Sequence, residues 1–245
     1  MNKLYTRYYE ESLSQSDSQQ LDPHCFALTA RKFRWNYQRF FRAIAKDAVI
    51  LDLGCGIGQF LFYLNQAGYQ RIIGIDITPE MIQRAKTMQP VLDFRHVPDS
   101  EAFLRNHPAH FDVIVLNDVL EHLEREALLP MMHALLGALK PDGRLIVKTI
   151  NAAYPLGNAT RYQDLTHRTS YHEKSLIQLL RHCGFAQVTC FQEEIGIYNP
   201  LFAVKKVVVL GVRLLLKLLV YFSEGGWPNI ISLNIICTAR RSRHD

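Results

Sequence analysis

Five short apolar runs, each followed by a segment with helical periodicity, constrain this chain more than any other feature. The runs are "AVILDLG", "RIIGIDI", "DFRHV", "FDVIVLND" and "GRLIVKTI", and helical patterns cover residues 58–67, 79–88, 100–106 and 122–139. Short buried strands that alternate with helices form parallel, doubly wound sheets. Two later runs, "AQVTCFQEE" and "NIICTARR", add closing strands. The sequence therefore predicts an α/β fold with a mostly parallel, seven-stranded, Rossmann-like sheet.

The segments outside these units predict how the chain is divided. Residues 1–28 are polar and rich in Ser and Gln, which is typical of a loose arm, and residues 29–45 have apolar residues at helical spacing. We therefore expect an N-terminal arm and helix over 1–45 and one domain over 46–245. Residues 196–233 lie between the two closing strands and predict a helical insertion before the last strand.

Local signals predict where several elements end. "LKPDG" at 139–143 indicates a helix stop and a turn before the fifth strand. Residues 151–171 have no periodicity and predict a loop. A helix is expected over 172–183, with Gly184 as the glycine that terminates it.

The distribution of charge limits the partners of the protein. The net charge is +5, and residues 201–245 alone contain seven Lys and Arg against two acidic residues. The first 200 residues are therefore balanced, which disfavours a broad nucleic-acid-binding face and predicts no nucleic-acid partner.

Cysteine usage and the N-terminal sequence predict the compartment. The five cysteines include no C-x-x-C pair, so we expect thiols in a reducing compartment and neither a disulfide framework nor a zinc knuckle. The N-terminus has no apolar signal core, and no run of about 18 uncharged apolar residues exists. We expect a cytoplasmic protein.

The stretch "VILDLGCGIGQFL" after the first strand predicts a ligand site. In a doubly wound sheet the ligand lies over the first strand-to-helix turn, where glycines allow close approach of the backbone and positive φ. Gly54, Gly56 and Gly58 are suited to this role. A dinucleotide pattern would need Gly or Ala at its sixth position, which here is Gln59. The carboxylate of Asp52 suits a cation, such as an amino group, better than a pyrophosphate.

The second strand ends in another carboxylate, Asp76, placed where it can accept hydrogen bonds from ribose hydroxyls. With this residue, the sequence resembles the class I S-adenosylmethionine-dependent methyltransferases. "LDLGCGIG" matches their first motif and "GIDITPEMIQRAK" their second, while "FDVIVLNDVLEHL" and "LKPDGRLIV" match the motifs around their fourth and fifth strands. The resemblance covers roughly residues 45–195, with four motifs in the family's order.

The resemblance implies an S-adenosylmethionine site made of Asp52, Gly54, Gly56, Gly58, Asp76, Ile77, Asp99, Asn117 and Asp118. Asp52 and the glycines would line the methionine end, Asp76 would hold the ribose and Ile77 would pack on the adenine. Asp99 would meet the adenine amino group. The two residues at the end of the fourth strand would contact the methionine moiety.

The loop after the fifth strand would overhang the cofactor's methyl group and is the expected place for catalytic residues. His167 is our candidate general base, because imidazole has a pKa near ~6.5, and Asp164 could orient it. His122, predicted to start a helix beside the cofactor, is the third candidate. Structural alternatives are that His167 anchors the loop and that His172 lies next to a helix N-cap. No His or Asp cluster has metal-ligand spacing, so no metal is predicted.

The acceptor class is predicted from weaker resemblances. "DLTHRTSY" resembles a segment of bacterial methyltransferases that modify surface glycans and lipid-linked sugars, which implies O-methylation of a sugar hydroxyl on such an acceptor. "VLEHL" resembles O-methyltransferases of small aromatic or quinone-like molecules, the alternative acceptors. A third alternative is a catalytically silent fold that binds a partner, although the intact glycine turn and Asp76 argue against it.

The segment "FAVKKVVVLGVRLLLKLLVYF", residues 202–222, predicts a helix with one narrow basic stripe. At 100° per residue, Lys206, Arg213 and Lys217 fall within about 40°, and the rest of the surface is almost entirely apolar. Such a helix must be covered by its own domain, by a second copy or by a membrane interface. The interpretation we favour is contact with an anionic membrane surface, with the stripe toward the headgroups, which would place the protein at the inner face of the membrane.

Overall fold

The computed structural model describes residues 23–155 and 157–242, which form one seven-stranded sheet of order β3-β2-β1-β4-β5-β7-β6. The strands are β1 (Val49–Leu53), β2 (Arg71–Asp76), β3 (Asp93–His96), β4 (Phe111–Asn117), β5 (Leu139–Ile150), β6 (Phe185–Gln192) and β7 (Asn234–Arg241). The first five strands are parallel, and β7 is antiparallel to β5 and β6. The predicted α/β fold with a mostly parallel, seven-stranded sheet is confirmed.

Helices cover both faces of this sheet. They are α1 (Pro23–Phe41), α2 (Gln59–Gln66), α3 (Pro79–Met88), α4 (Ser100–Arg105), α5 (Arg125–Ala138), α6 (Gly157–Gln163), α7 (Glu173–His182) and α8 (Pro200–Glu224). Helices α1, α2 and α3 contribute to one buried cluster, and α4, α5 and α7 contribute to the other.

The central strands explain why the sequence shows continuous apolar runs. Successive side chains of a strand point to opposite faces. Ile50 and Val113 therefore pack in one cluster, while their neighbours Leu51 and Ile114 pack in the other. Because helices cover both faces, no position of β1 is exposed. This arrangement places the carboxyl ends of β1, β2 and β4 side by side at one edge.

Several predicted boundaries are wrong. The segment "LKPDG" does not form a turn outside the sheet, because β5 begins at Leu139, pairs with Phe111 and continues past an irregularity at which Asp142 has a φ of 61°. The expected loop over 151–171 contains α6. The helix expected over 122–139 begins only at Arg125, and His122 ends a separate 3₁₀ turn, Leu120–His122.

Two other local predictions concern the ends of α7, and a third concerns the N-terminal arm. Gly184 follows α7 with a φ of 93°, as a helix-terminating glycine does. His172 is itself the N-cap of α7, since its side chain accepts from the backbone N–H of Lys174 at 3.1 Å. The predicted arm at 1–28 lies outside the described residues up to residue 22, and residues 23–28 belong to α1.

The helical insertion is present, but its basic stripe faces the protein. Arg213 is only 9% exposed, and its guanidinium lies 3.0 Å from Glu194 Oε2 and donates to the carbonyl of Glu193 at 2.8 Å. Lys206 lies over the ring of Trp35. The expected orientation of this stripe toward headgroups is therefore wrong, because these cations find partners on the domain itself.

The sulfur atoms of Cys190 and Cys237 are bonded across β6 and β7, where the two residues are directly paired. The expectation that all five cysteines are thiols is wrong for this pair. Sequence spacing could not reveal it, because 47 residues separate the two.

Candidate active site

A cavity of about 890 Å³ lies over the carboxyl ends of β1, β2 and β4. Its wall includes eight of the nine predicted cofactor residues: Asp52, Gly54, Gly56, Asp76, Ile77, Asp99, Asn117 and Asp118. Gly58 lies behind this wall, at the start of α2. Of the three predicted catalytic residues, His122 lines the cavity, whereas Asp164 and His167 do not.

The three glycines after β1 all have positive φ, at 76°, 52° and 84°, but for different reasons. A Cβ on Gly54 would lie 2.4 Å from a methyl of Val119, and one on Gly58 would lie 2.5 Å from the ring of Phe94. These two glycines are therefore required by packing. A Cβ on Gly56 would meet no described atom within 4 Å. Gly56 is thus the position where the turn leaves open room for a ligand.

Asp76 holds this turn in place. Its Oδ2 accepts from the backbone N–H of Gly56 at 2.9 Å, and its Oδ1 accepts from the N–H of Thr78 at 2.8 Å. The carbonyl of Ile75 accepts from the N–H groups of Gly54 and Cys55, at 2.8 and 3.0 Å. Each carboxylate oxygen of Asp76 keeps acceptor capacity beyond its backbone partner, so the residue can also bind a diol.

Two buried polar atoms at the cavity, Asp52 Oδ1 and Asn117 Nδ2, have no hydrogen-bond partner among the described residues. Buried polar groups are normally paired, so such atoms need an explanation. One is an acceptor on a carboxyl and the other is an amide donor. A ligand that carries an ammonium group and a carboxylate would satisfy both, which fits the amino-acid moiety of the cofactor implied by the sequence resemblance.

Burial also raises the pKa of the Asp52 carboxyl. Asp52 is 2% exposed, and burial together with the neighbouring Asp76 raises the pKa of its carboxyl to about 8. Without a cationic ligand the carboxyl is therefore largely protonated near neutral pH, because ionising it in a low dielectric is unfavourable. A bound cation would favour the ionised form.

A charged network under the cavity was missed by the sequence reasoning. Lys148 Nζ on β5 lies 2.5 Å from Asp118 Oδ2, and Asp118 has a φ of 56°. Although burial alone would lower the pKa of Lys148, Asp118 and other carboxylates raise it overall. Glu121, 1% exposed, accepts from Thr149 Oγ1 at 2.9 Å, and burial and Asp118 raise its pKa to about 8. The sequence feature that could have revealed this network is the lysine inside the otherwise apolar strand "RLIVKTI".

Tyr37 of α1 contacts Asn117, one of the residues that line the cavity. Its hydroxyl donates to Asn117 Oδ1, which fixes the amide so that Nδ2 is the atom left for a ligand. Burial raises the pKa of Tyr37 well above its ordinary value, so the phenol stays protonated as a donor. No local sequence pattern indicates this contact, because the two residues are 80 positions apart.

A polar cluster extends from the cavity-lining His122 into the structure behind it and consists of His122, Asp164, Thr166 and His167. Thr166 Oγ1 donates to Asp164 Oδ1 at 2.6 Å and lies 2.9 Å from His122 Nδ1. Because the threonine proton is used toward the carboxylate, Oγ1 accepts from His122 Nδ1–H.

His167 lies behind His122. The ring centroids are 4.7 Å apart, His167 Nδ1 lies 3.2 Å from the carbonyl of Thr160, and its Nε2 lies 3.7 Å from Asp164 Oδ2. Burial and the neighbouring His167 lower the pKa of His122, so His122 is neutral at neutral pH. A neutral imidazole at a cavity wall is suited to accept a proton.

The same cluster is where a cation could be held. One ligand atom from each of His122, Asp164 and His167 lies within 4.8 Å of the others. Two imidazoles and a carboxylate are a donor set that divalent transition metals accept. The sequence predicted no metal because it considered local spacing, and His122 is 45 positions from His167.

The loop that carries Asp164 and His167 is fixed to the rest of the site. The carbonyl of Glu121 accepts from the N–H of Arg168 at 2.7 Å, and the Arg168 guanidinium lies 2.9 Å from Glu124 Oε1. The N–H of Tyr171 donates to the carbonyl of Ile150 at 3.0 Å. These contacts keep the loop after β5 next to the cavity.

Asp99 and Ile77 also line the cavity. Asp99 is the N-cap of α4, since its Oδ1 accepts from the N–H of Ala102 at 2.9 Å. Its second oxygen is left for other partners. The carbonyl of Ile77 lies 3.2 Å from His96 Nε2, so its backbone is fixed at the end of β2.

Comparisons with known proteins agree on one family. The family described as "Methyltransferase domain" matches residues 27–189. A ubiquinone biosynthesis O-methyltransferase from Actinobacillus pleuropneumoniae is 32% identical over 168 residues, which cover 62% of this chain and 70% of that protein. A protein of the same name from Xylella fastidiosa is 35% identical over 114 residues, and the match spans only 45% of its length and 45% of this chain.

Solved structures share the fold at lower identity. A SAM-dependent methyltransferase from Archaeoglobus fulgidus has a TM-score of 0.67 at 19% identity, over 95% of this chain and 99% of that one. An N-methyltransferase from Bradyrhizobium japonicum, in complex with S-adenosyl-L-homocysteine, has a TM-score of 0.60 at 18% identity, over 96% and 97%.

Proposed function

The chain belongs to the methyltransferase-domain family, and from this premise we propose that it O-methylates a small, quinone-like acceptor. As a member of this family it is an enzyme, and S-adenosylmethionine is its methyl donor. The relatives named for ubiquinone biosynthesis support the acceptor class, and one of them matches over 70% of its own length. The cavity of about 890 Å³ lies within the usual range for small-molecule sites, about 300–1,000 Å³.

Residues at the carboxyl ends of β1, β2 and β4 would bind the methyl donor. Asp52 Oδ1 would accept from its ammonium, Asn117 Nδ2 would donate to its carboxylate, and Asp76 would accept from the ribose hydroxyls. Gly56 leaves room for its close approach. When bound, the cofactor supplies a methyl group on a sulfonium, which is transferred by in-line displacement. Asp99, Ile77 and Asp118 line the same space and complete the proposed site.

His122 would take the proton of the acceptor hydroxyl. The single observation that carries this step is that His122, a cavity-lining imidazole, belongs to the hydrogen-bonded order His122–Thr166–Asp164. Asp164 would orient His122 through Thr166, and His167 would pack behind it. This differs from the sequence-based hypothesis in which His167 is the base, because His122 is the histidine that lines the cavity.

A sugar hydroxyl of a glycan or lipid-linked intermediate is the second candidate acceptor. The observation in its favour is that the segment "DLTHRTSY" supplies Asp164, Thr166 and His167 to the cluster around His122. A base at this position would serve a sugar hydroxyl as well as a phenol. The names of the relatives favour the quinone-like acceptor.

The test is methyl transfer from labelled S-adenosylmethionine to defined acceptors. We expect the full chain to methylate a hydroxyl of catechols or hydroxylated quinols and to leave sugar nucleotides and lipid-linked sugars unlabelled. Labelling of the sugars alone would overturn the quinone-like acceptor. Cofactor binding without transfer to any acceptor class would indicate the catalytically silent alternative. Asp52→Asn serves as the control, since it should lose transfer through weaker donor binding.

A further inference from the structure

We propose that the outward face of α8 inserts into the surface of a lipid bilayer, independently of headgroup charge. This face consists of large apolar side chains that no described part of the chain covers. Six of them, with their exposed fractions, are Leu201 (72%), Val204 (61%), Val207 (69%), Leu215 (67%), Leu219 (63%) and Phe222 (80%). A contiguous apolar surface of this extent on a folded protein marks an interaction site.

Three of the four basic residues of α8 lie on its other side, and the fourth, Lys205, is exposed at the edge of the apolar face. Between residues 201 and 223 the charged residues are Lys205, Lys206, Arg213 and Lys217. Arg213 is paired with Glu194, Lys206 lies 5.0 Å from the centre of the Trp35 ring, and Lys217 Nζ donates to the carbonyl of Asn229 at 3.2 Å. These contacts fix which side of the helix faces the domain. The apolar face therefore cannot turn inward without breaking them.

The width of the exposed face favours lipid over a second copy of the chain. Taken at 100° per residue, the exposed positions from Leu210 round to Val212 cover an arc of about 200°. A helix that packs against a partner helix buries a stripe of about 100°. A two-fold pair of α8 helices would therefore leave about half of this surface in water, whereas hydrocarbon would cover all of it.

The helix is suited to lie along the bilayer. Its 25 residues span about 37 Å at 1.5 Å per residue. None of the helices in the described part of the chain is long and apolar enough to cross a membrane. At its C-terminal end, the Tyr221 ring lies 5.5 Å from that of Phe222 and 6.0 Å from that of Trp227. Tyr and Trp favour the boundary between headgroups and hydrocarbon.

Helix α1 connects α8 to the active site. Helix α1 contributes Trp35 to the contact with α8, and Asn36 accepts from the N–H of Glu194 at 2.8 Å. Phe33 of the same helix lines the cavity. Helix α8 would thus lie close to the helix that carries a wall residue of the cavity. The membrane contact itself does not depend on the identity of the acceptor.

The experiment is flotation of the full-length protein with vesicles of pure phosphatidylcholine, and of phosphatidylcholine with phosphatidylglycerol. We expect binding to both, with little change as salt rises far above the physiological level, because apolar burial is not screened. Leu215→Glu with Leu219→Glu should weaken binding by roughly a hundredfold or more, since each change moves a charge into the hydrocarbon boundary.

Val91→Glu is the matched control, because Val91 is an exposed valine, 86% accessible, that lies outside α8. It should bind vesicles as the unmutated protein does. Circular dichroism and cofactor binding should be unchanged in both variants. Three results would overturn the proposal: no binding to either vesicle, binding only to anionic vesicles that salt abolishes, or a stable dimer that the Leu215 and Leu219 changes convert to monomers.

Discussion

Asp52 shows how a buried carboxyl can be costly for folding and useful for binding. Its pKa of about 8 lies above the ordinary value of 3.8 because of burial and Asp76. Between these two values the folded chain holds more protons at this site than the unfolded chain does. The free energy of unfolding therefore falls as pH rises through this window. A cationic ligand would recover the energy by stabilising the ionised form.

This leads to a prediction for cofactor binding. Because Asp52 is largely protonated in the free protein near neutral pH, binding of S-adenosylmethionine should release close to one proton, and affinity should rise toward pH 8. Calorimetry in buffers with different ionisation enthalpies measures this release. Asp52→Asn should abolish it and weaken binding by roughly ten- to a hundredfold, while leaving the fold at least as stable. Binding by the unmutated protein without proton release would contradict the role of Asp52.

At the scale of single elements, the turn between β1 and α2 combines two demands. Gly54 and Gly58 make room for Val119 and Phe94, so they serve packing. Gly56 faces open space, and its N–H is held by Asp76. The sequence correctly predicted that all three glycines adopt positive φ. It could not separate their roles, because the neighbours that decide them come from β3 and from the segment after β4.

A pair of substitutions separates backbone strain from ligand contact. Gly56 and Gly68 both have positive φ, at 52° and 85°, and both have open space where a Cβ would lie. Alanine at either should cost about 1–2 kcal/mol of stability. Only Gly56→Ala should also weaken cofactor binding, by about 1–3 kcal/mol, which is roughly tenfold to a hundredfold. Thermal unfolding and calorimetry measure the two effects. Equal cofactor affinities for the two variants would show that the turn does not approach the ligand.

Across the whole molecule, the sequence predicted what local patterns specify. Apolar runs and helical periodicity specified the seven strands and most helices, and the glycine turn specified the cavity edge. Contacts between distant residues had no local signal. Tyr37 reaches Asn117, and Cys190 bonds to Cys237, because the sheet brings together segments that are far apart in sequence.

The insertion also shows that local sequence patterns do not indicate contacts between distant residues. Periodicity located the basic stripe of α8, but the direction of a stripe depends on its partners. Glu193 and Glu194, just after the end of β6, bind Arg213 and turn the stripe toward the domain. Pairing a buried guanidinium in this way avoids the cost of leaving it uncompensated. The basic stripe therefore faces the domain and not, as had been expected from the sequence, the headgroups, and the apolar face points outward.

The central claim is that His122 accepts the proton of the acceptor hydroxyl, and single-turnover methyl transfer by two variants tests it directly. His122→Ala should slow the transfer by about 10²–10⁴-fold with almost unchanged cofactor affinity. His167→Ala should have a much smaller effect, because His167 packs behind His122. Since burial and His167 lower the pKa of His122, the acid limb of the unmutated enzyme should lie below ~6.5. Transfer by His122→Ala within a few-fold of normal, together with a large loss in His167→Ala, would contradict this account.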